Sequence, residues 1–177
     1  KITTRDAPDY DKLMKFRIGV LARHGLKLAD IQRVIGTLDP LPGAKEFMTD
    51  LRAMTQVIIL SDTFTQFAKP LMEKLAWPTL FCNTLEIGDD GSVTGYVLRQ
   101  KEGKKRSVEA LKSLNFRVMA AGDSYNDLAM LRAADAAALF KAPDGIKSAN
   151  PDLPAMDAYG DLLAIARTFV SGTERGA

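Results

Sequence analysis

Cysteine occurs once in these 177 residues, at Cys82. A single thiol excludes an internal disulfide framework and fits a reducing compartment, so a cytoplasmic protein is expected. No apolar run approaches the roughly 20 residues that a membrane-spanning helix needs, and no signal-peptide pattern opens the chain at Lys1. Net charge is nearly absent too. The 24 basic and 22 acidic residues leave +2, too little to argue for a nucleic-acid partner. The longest basic stretch, Arg99 to Arg106, is interrupted by Glu102 and Gly103. Internal repeats and low-complexity segments are also lacking, which excludes solenoids and linkers. What remains is an ordinary globular composition, 46% hydrophobic and 26% charged, enough for one core plus a small subdomain.

Pro8 and Asp9 read as a helix start, with Leu13, Phe16, Val20 and Leu21 following at helical spacing. Arg17, four residues after Leu13, lies close to that face; it either snorkels past the core to a structural acid or clamps an anion with its planar fork. His24-Gly25 ends this helix. Asp30 reads as the cap of a second helix with Ile31, Val34, Ile35 and Leu38 on one face, stopped by Pro40 and Pro42. A third helix runs from Gly43 with Phe47 and Leu51 inward. Val57–Leu60 is a β-branched apolar run, the pattern of a central parallel strand. Ser61-Asp62-Thr63 follows, with Thr63 and Gln66 fitting a capping box for a helix that carries Phe64, Phe67, Leu71 and Leu75. Pro70 should bend or restart that helix.

Leu80–Cys82 reads as a short strand, and Leu85–Ile87 with Val93–Leu98 as a hairpin around Gly88–Ser92. A basic loop then precedes a helix over Ser107–Leu114. Val118–Ala121 and Ala136–Phe140 are buried strands, a short helix starts at Pro143, the stretch around Pro151 and Pro154 is loop, and Asp161–Val170 is a last helix. The alternation from residue 43 onward predicts an α/β fold with a doubly wound parallel sheet. Residues 1–39 stand outside that rhythm and read as a helical cap, leaving 40–177 as the core. The strands Val57–Leu60, Val118–Ala121 and Ala136–Phe140 are expected side by side in one sheet, with Ser61 and Asp123 at the same edge.

That edge is where α/β sheets bind ligands. Val118–Ala121 leads into Gly122-Asp123-Ser124-Tyr125-Asn126-Asp127, where Gly122 permits a sharp turn. Asp123 and Asp127 are hard-oxygen groups suited to Mg²⁺; the plain alternative is a turn with Ser124 as N-cap and Asp127 completing a capping box. Ser61 stands before a helix N-terminus, where it could hold phosphate or simply cap. One lysine of the loop Lys101–Arg106 could neutralise the same phosphate, or the loop could be merely solvated. Lys141 follows the strand Ala136–Phe140. A phosphate donor, a lysine and a metal-binding acid are the parts of a phosphoryl-transfer site, and the nucleophile is the part not found.

VIILSDTF, the basic loop and VMAAGDSYND resemble the second, third and fourth motifs of the haloacid dehalogenase superfamily. DYDKLMKFRIGVL is similar to the cap of its phosphoserine phosphatase branch. HGLKLADIQ, PTLFCNTLEI and GYVLRQK resemble the bacterial members of that branch that also pass the phosphoryl group to homoserine. The resemblance spans all but the C-terminal tail. It implies a Rossmann-like core with a small helical cap, Mg²⁺ as cofactor, phosphoserine as substrate with homoserine as a second acceptor, and a place in serine and threonine biosynthesis. It further implies that Ser61 donates to the phosphoryl group and that Lys104, or alternatively Lys105, neutralises it. Asp123 would ligate Mg²⁺, and Asp127 would orient the lysine or a metal-bound water. Arg17 would grip the substrate carboxylate, and Thr63, Phe64 and Asn126 would line the pocket. A homodimer is left open.

The superfamily's first motif, an Asp-x-Asp or Asp-x-Glu whose first acid becomes an aspartyl-phosphate, precedes the cap. Asp6 and Asp9 follow no apolar strand and do not substitute for it. The expectation is an enzyme whose record is incomplete; a catalytically silent relative that binds phospho-ligands is the alternative. A receiver-like domain is disfavoured by the cap and the hairpin. The chain as written is expected to be unstable and to release no phosphate.

Overall fold

The computed structural model describes residues 10–172; the expected helix start at Pro8 and Asp9, and Asp6, lie outside them. In chain order the elements are α1 (Tyr10–Arg23), α2 (Leu28–Gly36), α3 (Ala44–Arg52), β1 (Ile58–Phe64), α4 (Thr65–Lys74), β2 (Thr79–Ile87), β3 (Val93–Val97) and α5 (Gly103–Ser113). Then come β4 (Met119–Gly122), a single 3-10 turn at Tyr125–Asp127, α6 (Leu128–Ala133), β5 (Ala136–Phe140), α7 (Asp144–Ala149), β6 (Ala155–Met156) and α8 (Tyr159–Ser171). The architecture is α/β. Two compact units emerge: Lys1–Asp39 with Asp62–Trp77 and Cys82–Arg99, and Pro40–Ser61 with Pro78–Phe81 and Gln100–Ala177. One boundary between the units falls between Asp39 and Pro40. The helical segment, however, shares its unit with the end of β1, α4 and the hairpin, because it packs on them.

In the first unit α1 buries Met14, with Tyr10, Ile18 and Leu21 beside it, against Phe64, Leu85, Val93 and Tyr96. Phe16, expected on the apolar face, is half exposed. The helix carries two overlapping stripes: Leu13 of the expected one is buried, while the one through Tyr10, Met14, Ile18 and Leu21 packs in this cluster. Asp30 does not begin α2 but sits in its first turn, its carboxylate accepting the Lys27 N–H at 3.0 Å. α4 runs on through Pro70. A proline there leaves the carbonyl four residues back without its helical donor, and the Gln32 side chain supplies one, donating to the Gln66 carbonyl at 2.8 Å.

Two strand boundaries differ from those read in the sequence. β1 continues through Ser61, Asp62 and Thr63 to Phe64, so α4 starts at Thr65 and the Thr63–Gln66 capping box does not form. Instead the Gln66 amide donates to the Leu85 carbonyl at 2.9 Å and accepts the Leu85 N–H at 3.0 Å. β2 is one nine-residue strand rather than two pieces. Its polar middle residue, buried Asn83, is satisfied by donating to the Asp62 carbonyl at 3.1 Å and accepting the Arg99 N–H at 3.1 Å. β2 pairs antiparallel with β3, Leu85 opposite Tyr96, with an irregularity at Glu86–Ile87.

In the second unit β4 and β5 pair in parallel, Ala120 opposite Ala137 and Gly122 opposite Leu139. β6, two residues in a stretch expected to be loop, adds a third parallel strand at Leu139–Phe140. Val108, Met130, Leu131, Leu139 and Ile146 fill one side, with Leu60 against them. Ala138, Met156 and Leu162 fill another cluster, with Phe47 and Ile165. Helices thus cover this sheet through two separate cores, as a doubly wound arrangement requires. The expectation of one sheet is corrected. Among the described residues β1 belongs with β2 and β3, and β4 with β5 and β6. β1 takes β2 as its hydrogen-bonded neighbour instead of β4. No helix among the described residues is long and apolar enough to cross a membrane.

Candidate active site

The tip of β4 is closed by Asp127. Its carboxylate folds back so that one oxygen accepts the N–H of Asp123 at 3.1 Å, the N–H of Ser124 at 3.0 Å and the Ser124 hydroxyl at 2.7 Å. The other oxygen takes the Lys104 ammonium at 2.7 Å. Asp127 is only 4% exposed. Burial alone would raise its carboxyl, but the hydrogen bonds from Lys104 and Ser124, with the lysine charge, outweigh burial and hold it below the usual carboxylate range. The plain reading of Ser124 and Asp127 as a capping box is realised, and the same carboxylate also anchors the lysine. Gly122 serves this closure in a way the sequence did not suggest. Its φ is not among the positive ones; a Cβ there would lie 2.5 Å from the Asp127 Cβ and 2.7 Å from its Cγ. The glycine makes room for the carboxylate rather than for a left-handed turn.

Lys104 and Lys105, the two candidates of the basic stretch, separate cleanly. Both lie in the first turns of α5, which begins at Gly103, not in a loop. Glu102, with φ at 53°, sits at the cap and turns the chain into the helix. Lys104 reaches Asp127, whereas Lys105 pairs on an exposed face with Glu109 at 3.5 Å. Asp123 is exposed, and among the described residues its carboxylate has no hydrogen-bond or ion-pair partner. Asn126 is held against the Ser124 hydroxyl. Ser124 is thus the residue whose part exceeded the sequence reading: it touches both Asn126 and Asp127. The spacing of a serine three before an acid was the available signal.

Ser61 lies within β1 in the second unit, three residues before the strand ends, so the helix N-terminus does not start beside it. Arg17, Thr63 and Phe64 belong to the first unit. Phe64 is core, its ring edge-on to Phe67 at 5.7 Å. Arg17 is exposed; burial and then Asp62 raise the pKa of the Tyr10 phenol, and Arg17 opposes them. Lys141, after β5, takes a left-handed backbone and lies over the rings of Tyr159 and Phe140 at 5.5 and 5.6 Å.

Mg²⁺ takes one or two carboxylates and keeps several waters. Asp123, exposed and unengaged, fits as such a ligand. Asp127 does not, since both its oxygens are occupied. Among the described residues no group of three or more His, Cys, Asp or Glu could enclose a metal, so any ion here would depend on water and substrate oxygens.

At the tip of β4 this α/β core carries a lysine on a buried aspartate beside an exposed carboxylate. The chain belongs to the haloacid dehalogenase-like hydrolase family, whose model matches residues 5–135. It is 55% identical over 175 residues to the phosphoserine phosphatase ThrH of Pseudomonas aeruginosa, covering 99% of this chain and 84% of that protein. A phosphoserine phosphatase of Pseudomonas syringae pv. tomato is 51% identical over 175 residues, covering 99% and 73%. The crystal structure of a phosphoserine phosphatase in apo form shares the fold, with a TM-score of 0.66 at 23% identity over 82% of this chain and 75% of that one.

Proposed function

We propose that the protein is a Mg²⁺-dependent phosphoserine phosphatase that also passes the phosphoryl group to homoserine. The observation that carries the reading is the Lys104 ammonium, fixed 2.7 Å from buried Asp127 beside the open carboxylate of Asp123. A lysine anchored this way fixes a positive charge at the tip of β4 without having to be ordered first. The relatives, phosphoserine phosphatases at 55% and 51% identity, supply the substrate.

In this reading the Ser61 hydroxyl donates to the phosphoryl oxygens and Lys104 neutralises their charge. Asp127 holds the lysine, Arg17 takes the substrate carboxylate, and Thr63, Phe64 and Asn126 shape the pocket. Asp123 would hold Mg²⁺, which when bound adds positive charge at the phosphoryl oxygens. Phosphorus passes from the serine oxygen to a carboxylate oxygen, and then to water or to the homoserine hydroxyl. None of the described residues is assigned that attack. The test is ³¹P NMR of phosphoserine incubated with Mg²⁺ and a protein that joins an Asp-x-Asp or Asp-x-Glu strand to this sequence, with and without homoserine. Inorganic phosphate alone, then phosphohomoserine when homoserine is added, is the expected result. Absence of any Mg²⁺-dependent change in phosphoserine would overturn the assignment.

A further inference from the structure

The Asp127 carboxylate is held on one side more heavily than a helix cap requires. A capping box asks the serine hydroxyl to accept the Asp127 N–H and the carboxylate to accept the Ser124 N–H, and both are met. Beyond them, the Ser124 hydroxyl donates to Oδ2 of Asp127 at 2.7 Å. That hydroxyl has one proton to give and faces two acceptors, the carboxylate and the side-chain oxygen of Asn126. The charged oxygen is the stronger acceptor and takes it. Oδ2 thus collects three donors: this hydroxyl and the N–H groups of Ser124, at 3.0 Å, and Asp123, at 3.1 Å.

The last torsion of an aspartate is broad and roughly two-fold, so the side chain's own preference does not set the plane of its carboxylate. Hydrogen bonds to Oδ2 set it here. Gly122 closes the back, where a Cβ would stand 2.9 Å from the same oxygen. Oδ1 is left to the Lys104 ammonium of α5, which meets it at 2.7 Å. Lys104 is only 14% exposed, and its flexible four-carbon stem lets the ammonium follow the oxygen that holds it. Lys104, Gly122, Ser124 and Asp127 all belong to the second unit.

We infer that Ser124 is a positioning residue: by fixing the plane of the Asp127 carboxylate through Oδ2, its hydroxyl sets where Oδ1 holds the Lys104 ammonium. The two backbone N–H groups come from adjacent residues and leave the carboxylate free to rock about Oδ2; the hydroxyl removes that freedom. The service of this placement to the reaction rests on the reading of Lys104 as the group that neutralises the phosphoryl charge. The placement itself does not.

Ser124→Ala removes the hydroxyl and Ser124→Thr keeps it. The Lys104 ammonium is followed by ¹H–¹⁵N NMR, without Mg²⁺, in a protein carrying this sequence, its signal identified by its loss in Lys104→Met. Exchange of the ammonium protons with water should quicken about tenfold or more in Ser124→Ala and stay near the parent rate in Ser124→Thr. A double-mutant cycle of urea unfolding separates positioning from plain capping: Ser124→Ala and Lys104→Met together should cost less stability than the sum of the two alone. An unchanged Lys104 signal in Ser124→Ala, or additive losses, would leave Ser124 a helix cap and overturn the inference. In an enzyme that joins an Asp-x-Asp or Asp-x-Glu strand to this sequence, Ser124→Ala should lower kcat for phosphoserine about tenfold with KM changed less, and Ser124→Thr should restore it. A rise in KM alone would make the hydroxyl a substrate-binding group and overturn the inference as well. If the unmodified enzyme leaves phosphoserine intact while the lysine signal and the cycle behave as stated, the phosphoserine reading fails and the placement of Lys104 by Ser124 stands.

Discussion

Replacing Lys104 by methionine strips the buried Asp127 carboxylate of its only counterion among the described residues while keeping the aliphatic stem. The two side chains are 14% and 6% exposed and meet at 2.7 Å. Breaking such a pair from one side costs about 3–5 kcal/mol, because the remaining charge stays buried. Asp127 keeps its bonds from Asp123 and Ser124, so the lower end, about 3 kcal/mol, is expected. Lys105→Met is the internal control. Its partner Glu109 is 3.5 Å away and both side chains are about half exposed, a geometry worth about 0–1 kcal/mol. The pH dependence carries a definite sign. Asp127 has its folded pKa depressed, so its contribution is present above the ordinary carboxylate pKa of about 3.9 and is lost as pH falls through the lower folded value. Without Lys104 that depression shrinks, and the gap between parent and variant should narrow as pH falls below about 4. Urea unfolding of a protein carrying this sequence, at neutral and acid pH, measures all three quantities. Equal losses for Lys104→Met and Lys105→Met, or a gap that widens on acidification, would refute the reasoning.

Gly122→Ala should destabilise by about 1–3 kcal/mol through overlap with the Asp127 side chain, whereas Gly145→Ala, in α7 with open space around its Cβ, should be neutral or stabilise by up to about 1 kcal/mol; thermal unfolding of the pair checks both. Asp123→Asn should abolish any upward shift of melting temperature on adding Mg²⁺, and an unchanged shift would move the metal ligand elsewhere. In an enzyme that joins an Asp-x-Asp or Asp-x-Glu strand to this sequence, Arg17→Ala should weaken phosphoserine binding more than it slows turnover of a phosphate ester lacking a carboxylate; equal losses on the two would make Arg17 structural.

Much of the core was legible because its strands are short apolar runs between polar ends. Ala136–Phe140, bounded by Asp135 and Lys141, is found residue for residue. The hairpin followed from its turn chemistry. The misreadings have a common cause, polar residues that look like punctuation inside an element. Asn83-Thr84 seemed to split β2, yet Asn83 is buried and fully bonded within it. Ser61-Asp62-Thr63 seemed to start a helix, yet it is strand. Lys104 seemed to lie in a loop because Gly103 broke the helical pattern; a left-handed Glu102 places that break at the helix cap. Spacing could not separate Lys104 from Lys105. Their direction can: residues one apart on a helix point about 100° away from each other, and only one meets Asp127. Partner choice between strands was equally hidden, since β1 and β4 carry similar apolar runs and nothing local names their neighbours.

Gln66 has a further consequence for how this protein breathes. Leu85 faces Tyr96 in the hairpin on one side, and on the other its peptide group is matched by a side-chain amide that offers both a donor and an acceptor. β1 has ended by then, and the glutamine acts as a counterfeit peptide that carries the ladder one rung further. A true strand neighbour releases an amide proton only when backbone opens; a side chain releases it by a rotamer change. Deuterium should therefore reach the Leu85 amide faster than its neighbours in β2, at a pace set by rotation about Gln66 rather than by unfolding of the sheet. Glutamate at this position, having no donor when ionised, would keep only half of the mimicry.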